Sequence, residues 1–156
     1  MSDDLLHYDT LEEYRTHYEN NYCRTPILTF DNIRIFFKKD CFKHAFFEST
    51  KKDGTKDIFS KERAMRMNWI KKGLLSKETL LYQGWDKKNR TYSFGRRVTA
   101  LIDNFVIVIS LGLNRRGELK GEFITCYVAT NSIEKIKTSP KWNKEECIKL
   151  LKKGSR

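Results

Sequence analysis

Two prolines and eight glycines in 156 residues are too few for a disordered or low-complexity chain. Long apolar runs are missing as well. The longest, Phe105 to Ile109, has the length of a strand, whereas a membrane span needs about 20 apolar residues, so no membrane role is expected. Met1-Ser2-Asp3-Asp4 is acidic where an export signal begins basic and then turns apolar. The chain therefore reads as cytoplasmic, or as delivered into a target cell by a route its N-terminus does not display.

Cysteine and histidine are scarce. Cys23, Cys41, Cys126 and Cys147 stand far apart with no C-x-x-C pair, and only His7, His17 and His44 could add imidazole ligands. Neither a metal site nor a cofactor is expected, and the thiols read as buried and free in a reducing compartment. The chain has no P-loop, no G-x-G-x-x-G, no G-x-S-x-G and no H-E-x-x-H. Nor does it cluster acidic residues as a two-magnesium site would, so any nuclease activity has to be metal-independent.

What the sequence has in excess is positive charge. Thirty-one basic side chains face twenty acidic ones, a formal net charge of +11. Such self-repulsion suits a polyanionic partner, and nucleic acid is the leading candidate. The charge is localised: the first thirteen residues carry five acidic side chains and no Lys or Arg, whereas Arg34 to Arg97 carries eighteen basic and seven acidic.

With 39% apolar and 13% aromatic residues, the chain can bury the core of one domain. We divide it into an N-terminal helical extension over 1–26, a core over 27–142 and a C-terminal helix with its tail over 143–156. Thr10 caps a helix over Leu11 to Asn21 whose polar and aromatic face suggests peripheral packing. Ile27 to Phe30 and Ile33 to Phe37 read as two strands about Asp31-Asn32, and Asp40 to Ser49 as a helical turn or two. Lys51 to Asp57 is a loop by composition. Ser60 caps a helix over Lys61 to Lys72, with Met67, Ile70 and Leu74 facing the core and Gly73 as its stop; a short helical turn runs from Ser76 through Leu81.

The last third reads as a meander: Arg96 to Ile102, Phe105 to Leu113 and Glu118 to Thr130. Its middle run is apolar at nearly every position, as a strand covered on both faces would be. A final helix runs from Trp142 or Asn143 to Lys153, with Asn143 and Glu146 at capping-box spacing. The fold class is α+β, an antiparallel sheet with helices packed on one side.

Cleavage of RNA without metal uses the ribose hydroxyl as nucleophile, and His, Arg, Lys, Tyr and Thr suffice to assist it. His44 is polar among Phe42, Phe46 and Phe47, where partial burial holds its pKa near neutrality; the alternative is a histidine satisfying a backbone group at the core's edge. Arg63 and Arg66 project from one side of the Ser60 helix and suit a bidentate phosphate clamp, or else form a solvated basic face. Of Arg96 and Arg97, strand alternation sends one toward a site and the other away. Thr125 and Tyr127 share a face with Phe123 and Ala129, which fits a phosphate groove and ordinary strand propensity alike. Lys87, Lys88 and Arg90, interspersed with Tyr82, Trp85, Tyr92 and Phe94 and preceded by Trp69, suit base stacking beside backbone contacts, although most of the aromatics are expected in the core.

The order of these features resembles the barnase, EndoU, colicin and RelE-like nuclease superfamily. The likeness is to its phage- and toxin-associated branches, with an E-R-A-x-R-x-x-W-I helix (Glu62 to Ile70) ahead of a sheet ending in F-x-T-x-Y (Phe123 to Tyr127). It covers roughly residues 27 to 142. The resemblance implies a small RNase-toxin-like fold that cleaves RNA, tRNA or ribosome-bound mRNA among the candidates, without metal and through a 2',3'-cyclic phosphate. It also implies an immunity or antitoxin protein as partner. Carried over, it points to His44 as general base or acid, Arg63 or Arg66 as phosphate ligand, and Thr125 with Tyr127 as hydroxyls on the closing strand. Two other classes fit the same surface: a non-catalytic RNA- or DNA-binding module, and an interaction module docking an acidic protein.

Overall fold

The computed structural model describes residues 4–49, 56–86 and 88–154. The chain folds as α+β, with a six-stranded sheet in the order β1-β2-β8-β7-β6-β5 and a separate two-stranded ladder, β3-β4. The strands are β1 Ile27–Leu28, β2 Arg34–Phe36, β3 Phe47–Glu48, β4 Ile58–Phe59, β5 Leu80–Asp86, β6 Thr91–Ile102, β7 Phe105–Leu113 and β8 Leu119–Val128. The helices are α1 Leu11–Tyr22, α2 Cys41–Phe46, α3 Lys61–Met65, α4 Met67–Leu75, α5 Ile133–Lys137 and α6 Lys144–Gly154. The β6-β7-β8 meander is antiparallel, β7 lies between its two neighbours, and β2 joins β8 in parallel. No helix among the described residues is long and apolar enough to cross a membrane.

Helix α1 begins where its sequence says it should. Thr10 accepts from the Glu13 amide while the Glu13 carboxylate accepts from the Thr10 amide, satisfying donors a helix start leaves open. Its packing is central, contrary to the peripheral role its polar composition suggests. Tyr14, Tyr18 and Tyr22 recur every four residues and are 1%, 0% and 2% exposed. The Tyr18 ring lies 5.8–6.4 Å from Phe37, Phe42, Phe46 and Phe123. Each phenol has a carbonyl to bond: Tyr14 donates to Leu6 O, Tyr18 to Lys38 O and Tyr22 to Met67 O. Tyrosine thus serves here as a core residue with its polar end satisfied. Cys147 of α6 belongs to the same core, so helices from both ends of the chain pack on one body.

The expected helix over Lys61 to Lys72 is broken at Arg66, whose φ of −96° and ψ of 15° leave the helical region. The carbonyls flanking the break are taken by outside donors, Met65 O by the Leu6 amide and Met67 O by the Tyr22 hydroxyl. The second segment passes through Gly73 instead of ending there. A Cβ on Gly73 would lie 3.1 Å from Ile107 and 3.2 Å from Ile102, so this glycine lets the helix approach the sheet. Beyond it the expected helical turn is replaced by a loop, and strand β5 starts at Leu80. Its outer edge is partly covered by 140–142, through bonds from the Gln83 amide to Pro140 O and from the Trp142 amide to Leu81 O.

Both faces of the sheet are used. The main core lies under α1–α4 and α6, whereas Tyr82, Leu101, Val106 and Ala129 form a smaller cluster on the opposite face, covered by Ile133 and Ile136 of α5. Helices on one side is therefore right for all but α5. If α1 is a core element, Tyr18→Ala will cost about 3–5 kcal/mol in urea unfolding, and an α1 docked at the periphery would lose far less.

Candidate active site

Strand β8 carries the closing motif, and its pairing with β7 slips once. Phe123 pairs with Ile109 and Thr125 with Val108, so Ile124 is an extra residue, a β-bulge. Before the bulge Leu119 and Phe123 are buried in the main core; after it Cys126 takes that place. Thr125 and Tyr127 are thereby turned to the opposite face, and Tyr127 packs beside Val108 in the smaller cluster. The expectation that Phe123 shares their row fails for this reason. Ala129 does share it.

Helix α2 flanks the length of β8 that lies beyond its pairing with β2, and the Cys41 thiol donates to Phe123 O at 3.3 Å. Phe42, Ala45 and Phe46 are buried, at helical spacing, which leaves His44 exposed on the other side. The end of α2 is held by α3. The Ser60 amide donates to Phe46 O at 2.7 Å, and Arg63 Nη1 donates to Ala45 O at 3.2 Å and Phe47 O at 3.4 Å. Arg63 Nε lies 3.5 Å from Glu48, an ionic contact rather than a well-formed hydrogen bond.

Arg63 and Arg66 do not form a clamp. Arg63 turns inward, its side chain 15% exposed, and caps α2 with a cation, as the helix dipole favours. Arg66 donates to Glu62 O at 2.7 Å and lies over the Trp69 ring at 5.1 Å, so the helix break separates its surroundings from those of Arg63.

Shared charges link His44, Arg63, Arg97 and Tyr127. The His44 ring is partly desolvated and feels the positive charges of Lys56, Arg63 and Arg97; all of these hold its pKa below the ordinary 6.5, so the imidazole is neutral at pH 7. Arg63 also acts on Cys126 and Tyr127. Burial outweighs it at both: the Cys126 thiol is pushed up to about 12, and the Tyr127 phenol is raised and keeps its proton. Arg63 is therefore the charge shared by α2 and β8. Arg97 pairs with Ser110 on the face opposite the buried Val98 and Ile109, the face to which Thr125 and Tyr127 are turned. Of Arg96 and Arg97, only the latter is among the charges acting on His44. A Cβ on Gly84 would fall 2.4 Å from Arg97 Cβ, so that glycine makes room for the arginine.

Thr125 Oγ1 is buried and has no hydrogen-bond partner. A hydroxyl in that state costs about 1–3 kcal/mol, which calls for an explanation beyond strand propensity.

The other RNA-contact candidates lie elsewhere. Lys88 and Arg90 are exposed at the β5–β6 turn, up to about 20 Å along β6 from Arg97. Trp85 is exposed there, edge-on to Tyr92 at 5.1 Å, while Trp69 and Tyr82 are buried. Lys87 and the side chain of Phe94 lie outside the described residues. Sequence reasoning missed Lys56 and Glu48, which no local pattern marks, because their positions depend on the short β3–β4 ladder. The four thiols are unpaired, Cys126 and Cys147 buried and Cys23 and Cys41 half-buried. No three His, Cys, Asp or Glu side chains are grouped to hold a metal ion among the described residues.

Comparison with family models, with curated proteins and with solved structures finds no match. The functional reading accordingly rests on the geometry of the site.

Two measurements test it. An NMR titration of His44 will give a pKa below 6.5, moving upward in Arg97→Gln as one positive neighbour is removed. Thr125→Val, which deletes the unpartnered hydroxyl at nearly constant shape, will leave stability unchanged or raise it by up to about 1–3 kcal/mol; a loss of that size would mean the hydroxyl is satisfied after all.

Proposed function

We propose that this chain is a metal-independent endoribonuclease of the barnase, EndoU, colicin and RelE-like superfamily. The observation that carries the reading is the placement of the exposed His44 on α2, which is tied to β8 through Cys41, beside the charges of Lys56, Arg63 and Arg97, with the Thr125 and Tyr127 side chains on that neighbouring strand. Glu48 offsets part of this charge through Arg63, and the positive field that remains suits a phosphodiester. A neutral imidazole is the form that accepts a proton, so the pKa direction favours the general base over the general acid.

In this mechanism His44 takes the proton of a ribose 2'-hydroxyl as that oxygen attacks the adjacent phosphorus. Lys56 and Arg97 stabilise the charge on the phosphorane. The bond from phosphorus to the 5'-oxygen breaks, and the leaving oxygen takes its proton from the Tyr127 phenol, which burial keeps protonated. The products are a 2',3'-cyclic phosphate and a 5'-hydroxyl. His44 then returns its proton through water to Tyr127. Arg63 acts chiefly as a positioning residue, fixing α2 and hence His44 while adding to the field. An immunity or antitoxin protein covering this positive surface, and action in the cytoplasm, belong to the same proposal.

The test is incubation with an RNA oligonucleotide in EDTA, with products read by mass spectrometry. Expected are a cyclic phosphate end, no cleavage of a strand whose scissile ribose lacks its 2'-hydroxyl, and a loss of about 10²- to 10⁴-fold in His44→Ala. Because His44 must be neutral to act, the rate should rise with pH through an inflection below 6.5 and level off at neutrality. No product at stoichiometric enzyme would overturn the catalytic reading, and salt-dependent RNA binding without product would select the non-catalytic module.

A further inference from the structure

The face that carries the proposed site continues, away from His44, onto a stretch of sheet that no helix covers among the described residues. Register fixes what lies on it. One row across the strands is Phe36, Glu122, Ser110 and Arg97; the next outward is Arg34, Lys120 and Gly112. A Cβ at Gly112 would meet nothing within 4 Å, so the floor is open there. The outer row runs into a groove of about 520 Å³ at the sheet's end, where Arg34, Phe36 and Lys120 meet Lys144 and Lys152 of α6.

The groove is basic and holds one exposed aromatic. Phe36 is 40% exposed, and what distinguishes it from other exposed apolar side chains is its place on the wall of a basic groove. Of the nearby carboxylates, Glu122 pairs with Lys38 at 3.5 Å, while Glu118, on the groove wall, accepts from the Asn114 amide at 3.2 Å and offsets one of the four cations there. Lys144 is held in place by a bond from its Nζ to Asp31 O. An aromatic platform amid cations on an open sheet face is what single-stranded nucleic acid uses, bases stacking while phosphates pair. A duplex hides the base faces that such a ring would contact.

We infer that this groove is a second subsite for single-stranded RNA, in which a base stacks on Phe36 and flanking phosphates pair with Arg34 and Lys120. The inference rests on the proposed function for the identity of the ligand. Thr125 and Lys120 are five residues apart on β8, about 15 Å at the rise of a strand, so the strand must extend a few nucleotides past the scissile bond to reach it. The site therefore selects for length and single-strandedness on one side of the cut.

The experiment uses full-length His44→Ala protein, so that binding is read without cleavage, and fluorescent oligoribonucleotides of three and ten nucleotides. Expected is tighter binding of the longer strand. Adding Phe36→Ala should weaken ten-nucleotide binding about 5- to 100-fold with trinucleotide binding unchanged. Adding Arg34→Gln with Lys120→Gln instead should make the salt dependence for the longer strand shallower by about 1.4. Phe36 and Arg34 are exposed and Lys120 half-buried, so these variants do not touch the core. Equal affinity of the Phe36→Ala protein and its parent for the longer strand overturns the subsite, as does equal competition by polyglutamate, which would assign the groove to an acidic protein. If the wild-type chain binds with this length dependence but yields no cyclic phosphate, the catalytic reading alone fails. If it cleaves and the Phe36 variant cleaves long substrates at unchanged kcat/KM, the subsite alone fails.

Discussion

A strand alternates its faces, and β8 can serve both the core and the proposed site only by breaking that alternation at one residue. Upstream, Phe123 is locked inward by contacts with Tyr18, Phe37 and Phe46. Downstream, Cys126 is fully buried on the same side. Positions 123 and 126 have opposite parity, so both can be buried on one face only if an extra residue is inserted between them. The bulge at Ile124 is that residue, and its consequence is chemical: without it Thr125 and Cys126 would exchange faces.

In the proposed site Thr125 and Tyr127 act with a second element, α2, and the bonds holding α2 explain how it is placed. The Arg63–Glu48 contact is long, with a half-exposed carboxylate, and pairs of that kind contribute about 0–1 kcal/mol. The bonds from the same guanidinium to Ala45 O and Phe47 O are charge-assisted and part-buried, worth about 1.5–3 kcal/mol each. The carbonyl bonds dominate, so Arg63 is first a fastening for α2 and second a source of field. His44 owes its place to a residue on a different helix, whose charge adds to partial desolvation and to Lys56 in lowering the imidazole pKa.

Much of the fold was legible where local chemistry decides it. Thr10 with Glu13, Asn143 with the Glu146 amide, and the apolar run of β7 each carry their own signal, and the structure repeats them. Legibility fails where a distant partner decides. Nothing around Arg66 marks a helix break, because the donors that take the flanking carbonyls come from Leu6 and Tyr22. The tyrosines of α1 look polar until Lys38 O, Met67 O and Leu6 O are found to receive their hydroxyls. Among the candidates, His44, Thr125 and Tyr127 are chosen by residue type alone, and the different surroundings of Arg63 and Arg66 cannot be read that way. Those surroundings depend on which side of an unforeseen break each residue falls.

The positive charge divides on the same principle. Arg34, Lys56, Arg63 and Arg97 all belong to the basic middle of the sequence, yet the fold assigns Arg34 to the groove and the other three to the neighbourhood of His44. At physiological salt the screening length is about 8 Å, shorter than the distance of about 15 Å along β8 between the two patches. A single phosphate bound at His44 would therefore leave the groove's charge uncompensated. Full neutralisation requires an anion with charges spaced along a chain, and Phe36, exposed on the groove wall, offers such a chain a ring to stack on. The single-stranded nucleic acid proposed as ligand supplies both the spaced charges and the flat faces, whereas a simple anion or a phosphorylated side chain carries its charge at one point only.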